Sequence, residues 1–158
     1  MRSIRKNKEA MGFLILTTFL SLTFIASIVY ATSASGWGSN NPNVYYSIAV
    51  WNLCYRPEYQ YTSSEHSVYL NNTDPNNNIN YEYTFSQTVD NNHYNTIEGN
   101  GTLAPGGGTL SEYAQVIVGV GDLPAGEYTI DAYTEVKFWD GAIDDYRVDA
   151  PTANFTKE

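Results

Sequence analysis

An all-β fold, two antiparallel sheets of about seven to eight strands packed as a sandwich, is predicted by three observations. Apolar residues recur with period two, not at the i, i+3, i+4, i+7 spacing of an amphipathic helix. Turn-forming residues punctuate the chain roughly every ten positions. No helical run separates the strands, so sheet on sheet is the way they can bury their apolar faces. The 158 residues suffice for one domain with a real core.

The N-terminus reads differently. A basic stretch (Arg2, Arg5, Lys6, Lys8) precedes an apolar run from Phe13 to Tyr30 and then the small residues Ala31 to Gly36. That order is the layout of a secretory signal peptide over residues 1–34, with small-residue cleavage positions after Ala31 and after Ala34. The rival reading is an uncleaved hydrophobic helix, because the run is close to the roughly 20 residues that span a bilayer. Both readings export the remainder of the chain and place it outside the cell or on its surface. Residues 35–43 are then expected to be a flexible linker and residues 44–158 the sandwich. Beyond Ala34 the chain keeps four bases against sixteen acids. Such an acidic domain lacks the clustered Lys and Arg that phosphate binding requires, which argues against a nucleic-acid partner.

The strands come in order. Val44 to Leu53 is apolar at both parities and reads as a strand buried on both faces. Ser67 to Leu70 is a short strand. From Ile79 the residues Ile79, Tyr81, Tyr83 and Phe85 alternate with Asn80, Glu82, Thr84 and Ser86, as a strand with one wet face does. Thr96 to Glu98 and Tyr113 to Val120 come next. Tyr128, Ile130, Ala132, Thr134, Val136 and Phe138 form one face of a long strand, with Glu127, Asp131, Tyr133, Glu135 and Lys137 on the other. Tyr146 to Ala150 and Ala153 to Thr156 complete the set. Turns are expected at 71–78, 90–92, Asn100-Gly101, 105–108, 121–126 and Asp140-Gly141, the last as a type I′ hairpin.

The step Leu123-Pro124-Ala125-Gly126-Glu127-Tyr128, entering the long strand, resembles the tyrosine corner of fibronectin type III and related immunoglobulin-like domains. The resemblance covers roughly 44–156. It implies that Leu123, Gly126 and Tyr128 are structural, with the Tyr128 hydroxyl bonded back to a nearby backbone group. The paired cysteines of antibody domains are missing, so Trp51 has no disulfide to pack against.

Chemistry is sparse. The two histidines, His66 and His93, sit in no recognisable nucleophile context, and no Gly-x-Ser-x-Gly elbow or zinc-ligand spacing occurs. A non-enzyme without a resident cofactor is expected. Ca²⁺ is the one metal considered: Asp74 to Asn80 offers alternating oxygens, and Asp140, Asp144, Asp145 and Asp149 put four carboxylates near the final hairpin, a cation site or an ordinary solvated turn. Cys54 has no partner in the chain and reads as a buried small hydrophobe, or else as an intermolecular thiol. Asn71, Asn100 and Asn154 head Asn-x-Thr sequons and would be glycan acceptors on surface loops. Tyr45, Tyr133 and the Tyr55–Tyr61 segment are expected to be exposed aromatics.

These features point to an extracellular, non-catalytic interaction or structural module. It would act through strand edges on a protein partner or on its own copies, as a surface or fibre subunit, with Ser35 to Tyr46 available for donation to a neighbour. The alternatives are a carbohydrate-binding module and a secreted hydrolase inhibitor that uses the Arg56 to Tyr61 loop.

Overall fold

The computed structural model describes residues 28–29, 33–38 and 42–158. Most of the expected signal segment or hydrophobic helix therefore lies outside the described residues. Among those described, no helix is long and apolar enough to cross a membrane. The chain is all-β, in two antiparallel sheets. Eight strands lie beyond residue 43: β3 (Val44–Arg56), β4 (Tyr61–Asn72), β5 (Ile79–Val89), β6 (His93–Leu103), β7 (Gly108–Gly119), β8 (Gly126–Trp139), β9 (Ile143–Asp149) and β10 (Ala153–Lys157). Two short ones precede them, β1 (Ile28–Val29) and β2 (Ser33–Gly38). In the first sheet β3, β4 and β7 lie side by side, with β1 and β2 both on the free side of β3; in the second, β8, β5 and β6 lie side by side, with β9 and β10 on β8.

The linker expected at 35–43 is the first point of difference. Ser35–Gly38, expected to be flexible, belongs to a strand whose register runs from Ser33 opposite Trp51 to Gly38 opposite Tyr46. Gly36 lies where a side chain would meet Val148 of β9, and Ile48 and Tyr46 beyond it, so β2 closes the seam between the two sheets. Within the segment expected to be free for donation, Ser35–Gly38 and Val44–Tyr46 are thus paired within their own chain.

The alternation on β5 and β8 places Ile79, Phe85, Ile130, Val136 and Phe138 in the core, all at 1% exposure or less. β3 departs from its predicted burial on both faces. Its inward set is Val44, Tyr46, Ile48 and Val50, and then Leu53 and Tyr55, because a bulge between Trp51 and Cys54 inserts a residue. Asn52 sits there at φ 54°, a conformation asparagine tolerates. Parity therefore changes mid-strand, which is why both faces look apolar in the sequence. Tyr55 is buried and stacks on Phe155 at 4.2 Å, a correction to its expected exposure. Cys54 is buried and free, 3.0 Å from the Ser63 hydroxyl.

Asn100-Gly101, expected as a turn, lies inside β6. Gly99 and Gly101 stand directly opposite Tyr83 and Tyr81, whose rings lie where a Cβ would be. The glycines make room for the tyrosines, a demand that outweighs the turn preference of the Asn-Gly pair. Gly99→Ala is expected to lower stability by about 1–3 kcal/mol, because the Tyr83 ring must move out of a packed site; an unchanged denaturation midpoint would contradict this packing role. The Asp140-Gly141 connection is not a type I′ turn, since Gly141 is not among the positive-φ residues; consecutive residues at positive φ occur instead at Asp90–Asn91, in the hairpin between β5 and β6, and at Gly106–Gly107, between β6 and β7.

A buried polar layer divides the core. One apolar cluster holds Tyr46, Ile48, Leu70, Phe85 and Phe138; the other holds Val50, Leu53, Val118, Ile130 and Phe155. Between them lie Thr62, Ser64, His66, Gln87 and Thr134, all at 0% exposure. The Thr134 hydroxyl donates to Ala49 O at 2.9 Å and lies 2.9 Å from His66 Nδ1, while Ser64 Oγ lies 2.7 Å from His66 Nε2. One hydroxyl proton cannot serve two acceptors, so Nδ1 carries the imidazole hydrogen and Nε2 accepts from Ser64. Gln87 donates to Thr62 in the same layer.

At the entry to β8, the Tyr128 hydroxyl donates to Pro124 O at 2.8 Å and its ring stacks 5.5 Å from Phe155. Leu123 packs against the second cluster, and Gly126 lies beside the Tyr128 ring. Lys157 donates to the carbonyls of Val120, Gly121 and Leu123, tying the last strand to the same crossover.

Candidate functional site

The two outward faces differ in chemistry. On the second sheet, Lys137 pairs with Glu135 at 2.6 Å and Asp145 at 3.8 Å, and the Arg147 guanidinium lies 3.7 Å from the Tyr133 ring and pairs with Asp149. This face pairs its charges, and it also exposes Tyr94 (72%) and Ile143 (67%) as single side chains. Tyr133, expected to be exposed, is half-covered by that arginine. On the first sheet the outward positions are Tyr45, Ser47, Ala49, Trp51 and, after the bulge, Cys54 and Arg56 of β3, then Tyr61, Ser63, Glu65, Ser67, Tyr69 and Asn71 of β4, and Thr109, Ser111, Tyr113, Gln115 and Ile117 of β7. Glu65 and Arg56 are the charged residues among them.

The aromatic residues of that face form pairs. Trp51 and Tyr113 approach with ring centroids 5.9 Å apart, Tyr45 and Tyr69 at 6.3 Å, and Tyr59 and Tyr61 at 5.9 Å. Tyr45 is 47% exposed, Tyr59 69% and Tyr113 60%. The central pair has a polar support. Trp51, Glu65 and Gln115 lie in one cross-strand row, and Ala49, Ser67 and Tyr113 in the next. Asn52, turned outward by the bulge, donates to Glu65 Oε2 at 3.0 Å. The Tyr113 hydroxyl also bonds Glu65, and its pKa is raised by partial desolvation and by that neighbouring carboxylate. Small residues (Ser47, Ala49, Ser67, Ser111) floor the space between the pairs.

The other expected site residues do not converge. Asp144 faces inward from β9, Asp145 and Asp149 face outward and are engaged by Lys137 and Arg147, and Asp140 lies in the turn before the strand. No group of three or more metal-ligating side chains exists among the described residues, so the proposed Ca²⁺ set is not assembled; successive strand residues point to opposite faces. Asp74 is likewise occupied. Its carboxylate accepts from the backbone N–H of Asn76 and Asn77 at 2.7 and 2.9 Å and from the Asn43 and Asn77 side chains, and those bonds hold its pKa below the usual carboxylate range. The sequons lie in strands, not loops: Asn100 and Asn154 are exposed, while Asn71 is half-buried with its Oδ1 out of contact with solvent.

Ser64 beside His66 has the atom types of a nucleophile and base, but both are fully buried between the sheets and have no path to a substrate. The hairpin tip at Pro57–Gln60 is fixed by Tyr59 N–H to Arg56 O, Gln60 N–H to Pro57 O, and Val120 N–H to Gln60 O. It presents Tyr59 to solvent.

No protein family and no curated protein matches the chain. Among solved structures, a protein from Archaeoglobus fulgidus is 10% identical, with 82% of this chain and 98% of that chain covered at a TM-score of 0.36. A Bordetella pertussis protein described as ApaA is 12% identical over 83% and 94% of the two chains, at a TM-score of 0.32. These likenesses are too distant to bear on the aromatic face.

The Trp51–Glu65–Tyr113 grouping is not visible in the sequence. Its one signal is the alternation Tyr45, Ser47, Ala49, Trp51 against Val44, Tyr46, Ile48, Val50, which is masked by the parity change at the bulge.

Proposed function

We propose that this chain is an exported, non-catalytic interaction module of immunoglobulin-like architecture that makes its contact through the outer face of the β3–β4–β7 sheet. The observation that carries the reading is the asymmetry of the two faces. The second sheet sets its exposed Tyr94 and Ile143 singly among charge pairs, whereas the first gathers its rings into three pairs with Glu65 and Arg56 as the charged residues beside them. Exposed aromatics clustered in this way favour contact, since Trp and Tyr combine large apolar area with a polar edge and dominate binding energetics.

The immunoglobulin-like assignment draws support from the Tyr128 hydroxyl on Pro124 O at the start of β8 and from the chain crossing between sheets after β4, β6 and β7. The non-catalytic assignment draws support from the burial of Ser64 and His66. The strand edges are less available than the face. β2 covers β3, and β7 has Asn95 of β6 donating to its Ile117 carbonyl at 2.9 Å. Contact through side chains therefore fits better than strand addition.

In a sedimentation assay with the envelope of the cell that makes it, the purified chain is expected to be retained. Replacing both rings (W51A/Y113A) is expected to reduce retention about tenfold or more while leaving the denaturation midpoint close to that of the parent. Tyr133→Ala on the opposite face should leave retention unchanged. Equal retention of parent and double variant would refute the assignment of this face.

A further inference from the structure

We propose that the occupant of this face is a neutral glycan, with Trp51 and Tyr113 as its stacking platform and the Asn52–Glu65 pair, Ser67 and Gln115 as its hydrogen-bonding rim; the inference rests on the reading of the face as the contact surface. Three observations carry it. First, the apolar area is discontinuous. The Trp51–Tyr113 and Tyr45–Tyr69 pairs are separated by Ser47, Ala49 and Ser67, and no aliphatic side chain larger than alanine faces outward on that stretch of β3 or β4. A protein partner is held by a contiguous desolvated centre with a polar rim, whereas a sugar ring alternates C–H faces with hydroxyl edges and matches rings set among hydroxyls and amides.

Second, the face has almost no charge. Glu65 is its one carboxylate, and Asn52 Nδ2 and the Tyr113 hydroxyl hold it in place. No lysine or arginine stands at the outward positions between Tyr45 and Trp51 of β3, or on β4 or β7. Among the described residues the one cation on this side is Arg56, opposite Tyr61 and four residues along β4 from the row of Trp51, so an anionic ligand, whether nucleic acid, phospholipid headgroup or acidic polysaccharide, would meet no cation beside the Trp51–Tyr113 or Tyr45–Tyr69 pair. A carboxylate that already accepts two hydrogen bonds retains acceptor capacity for sugar hydroxyls, and such bonds are strong because they are charge-assisted.

Third, the platforms are spaced along the strands. The rings stand on the three adjacent long strands of one sheet; the central pair occupies the rows of Glu65 and Ser67 and the second pair those of Tyr69 and Asn71, so the midpoints of the two pairs are four residues apart along β4, about 13 Å at the rise of a strand. Two platforms at that spacing on one sheet face suit an extended chain of several sugars better than a terminal monosaccharide in a pocket. The Trp51 ring is placed by the bulge that also turns Asn52 outward, so platform and rim are set by one backbone feature.

The same envelope assay separates this proposal from the reading beneath it. Treating the envelope with periodate, which cleaves vicinal diols, is expected to abolish retention of the purified chain, whereas proteinase treatment is expected to leave it. Soluble neutral polysaccharide extracted from the same envelope should compete, and should shift the tryptophan fluorescence of the parent but not of Trp51→Ala. Glu65→Gln, which keeps the size of the side chain, should weaken competition several-fold without changing the denaturation midpoint. Loss of retention after proteinase but not periodate, insensitivity to both, or a concentration-dependent dimer that W51A/Y113A disperses would each overturn the glycan while leaving this face as the contact surface. Absence of retention altogether would overturn both.

Discussion

Asn72→Ala is expected to cost about 3–5 kcal/mol of folding stability, a large share of the total for a domain of this size. Asn72 ends β4 with its side chain fully buried. Its amide nitrogen lies 2.9 Å from Asn77 O, 3.1 Å from Ala104 O and 3.3 Å from Leu103 O, and its Oδ1 accepts from Asp74 N–H at 2.9 Å. Its own carbonyl accepts from Gly107 N–H. One side chain therefore joins the crossover out of the first sheet, at 73–78, to the crossover back into it, at 104–107. Truncation leaves several buried backbone groups without partners, and each costs on the order of 1–3 kcal/mol. Asn72→Asp should be worse than alanine, because it turns a donor into a carboxylate facing three carbonyl oxygens. Both variants keep Asn71 and Thr73, so any glycan at that sequon is unaffected. Urea unfolding measures the effect: the midpoint should fall with the slope unchanged. A loss below about 1 kcal/mol for alanine would mean that the crossovers hold together without this residue.

Those crossovers explain what is legible in the sequence. The regular alternation of β5 and β8 gives their inward faces directly, because every second residue there is apolar except Gln87 and Thr134 and no bulge interrupts them. Asp74 is readable as a turn residue and as a cation ligand with equal ease. What decides between them is Asn43, 31 positions away, which donates to its Oδ2. The glycines of β6 carry a local turn preference that yields to Tyr81 and Tyr83 on a neighbouring strand. β4 shows in the sequence only over Ser67–Leu70, since Thr62, Ser64 and His66 have the look of loop residues. They point inward nonetheless, because Gln87, Thr134 and backbone carbonyls from other strands satisfy them. In each case the missing information is a partner distant in sequence. The aromatic face is hidden for a related reason: three strands each contribute one or two rings, and no single segment contains the grouping.

The buried layer leads to the second large effect, a loss of about 3 kcal/mol as the pH falls from neutral to about 4. Burial lowers the pKa of His66 from 6.5 to about 4. Its surroundings are the Ser64 and Thr134 hydroxyls and the Phe85 ring at 5.3 Å, none of which stabilises a positive charge as a carboxylate would. The unfolded chain binds the proton near pH 6.5 and the folded chain only near 4, so between these values the unfolded state carries more protons and stability rises with pH. The contribution is complete above about 6.5 and disappears as the pH drops through the folded-state value. A shift of this size corresponds to about 3 kcal/mol at 1.36 kcal/mol per unit. Asp74 acts in the same direction but lower, because its pKa is depressed below 3.8 by the backbone N–H groups of Asn76 and Asn77; its contribution is lost only beneath that value. Asp145 acts in the opposite direction, because partial burial and the neighbouring Glu135 raise its pKa above 3.8 and its contribution is lost as the pH rises. In the window between 4 and 6.5, the part of the slope that disappears when His66 is replaced therefore reports on His66. His66→Gln, which can still place a donor toward Thr134 and an acceptor toward Ser64, should be less stable than the parent at pH 7 yet flatter across that window. Urea midpoints measured in half-unit steps of pH, with the imidazole Cε1 proton followed by NMR, test both halves of the claim. A histidine that titrates near 6.5 in the folded protein, or an equally steep acid loss in His66→Gln, would show that the polar layer admits water and that the two apolar clusters are not sealed from each other.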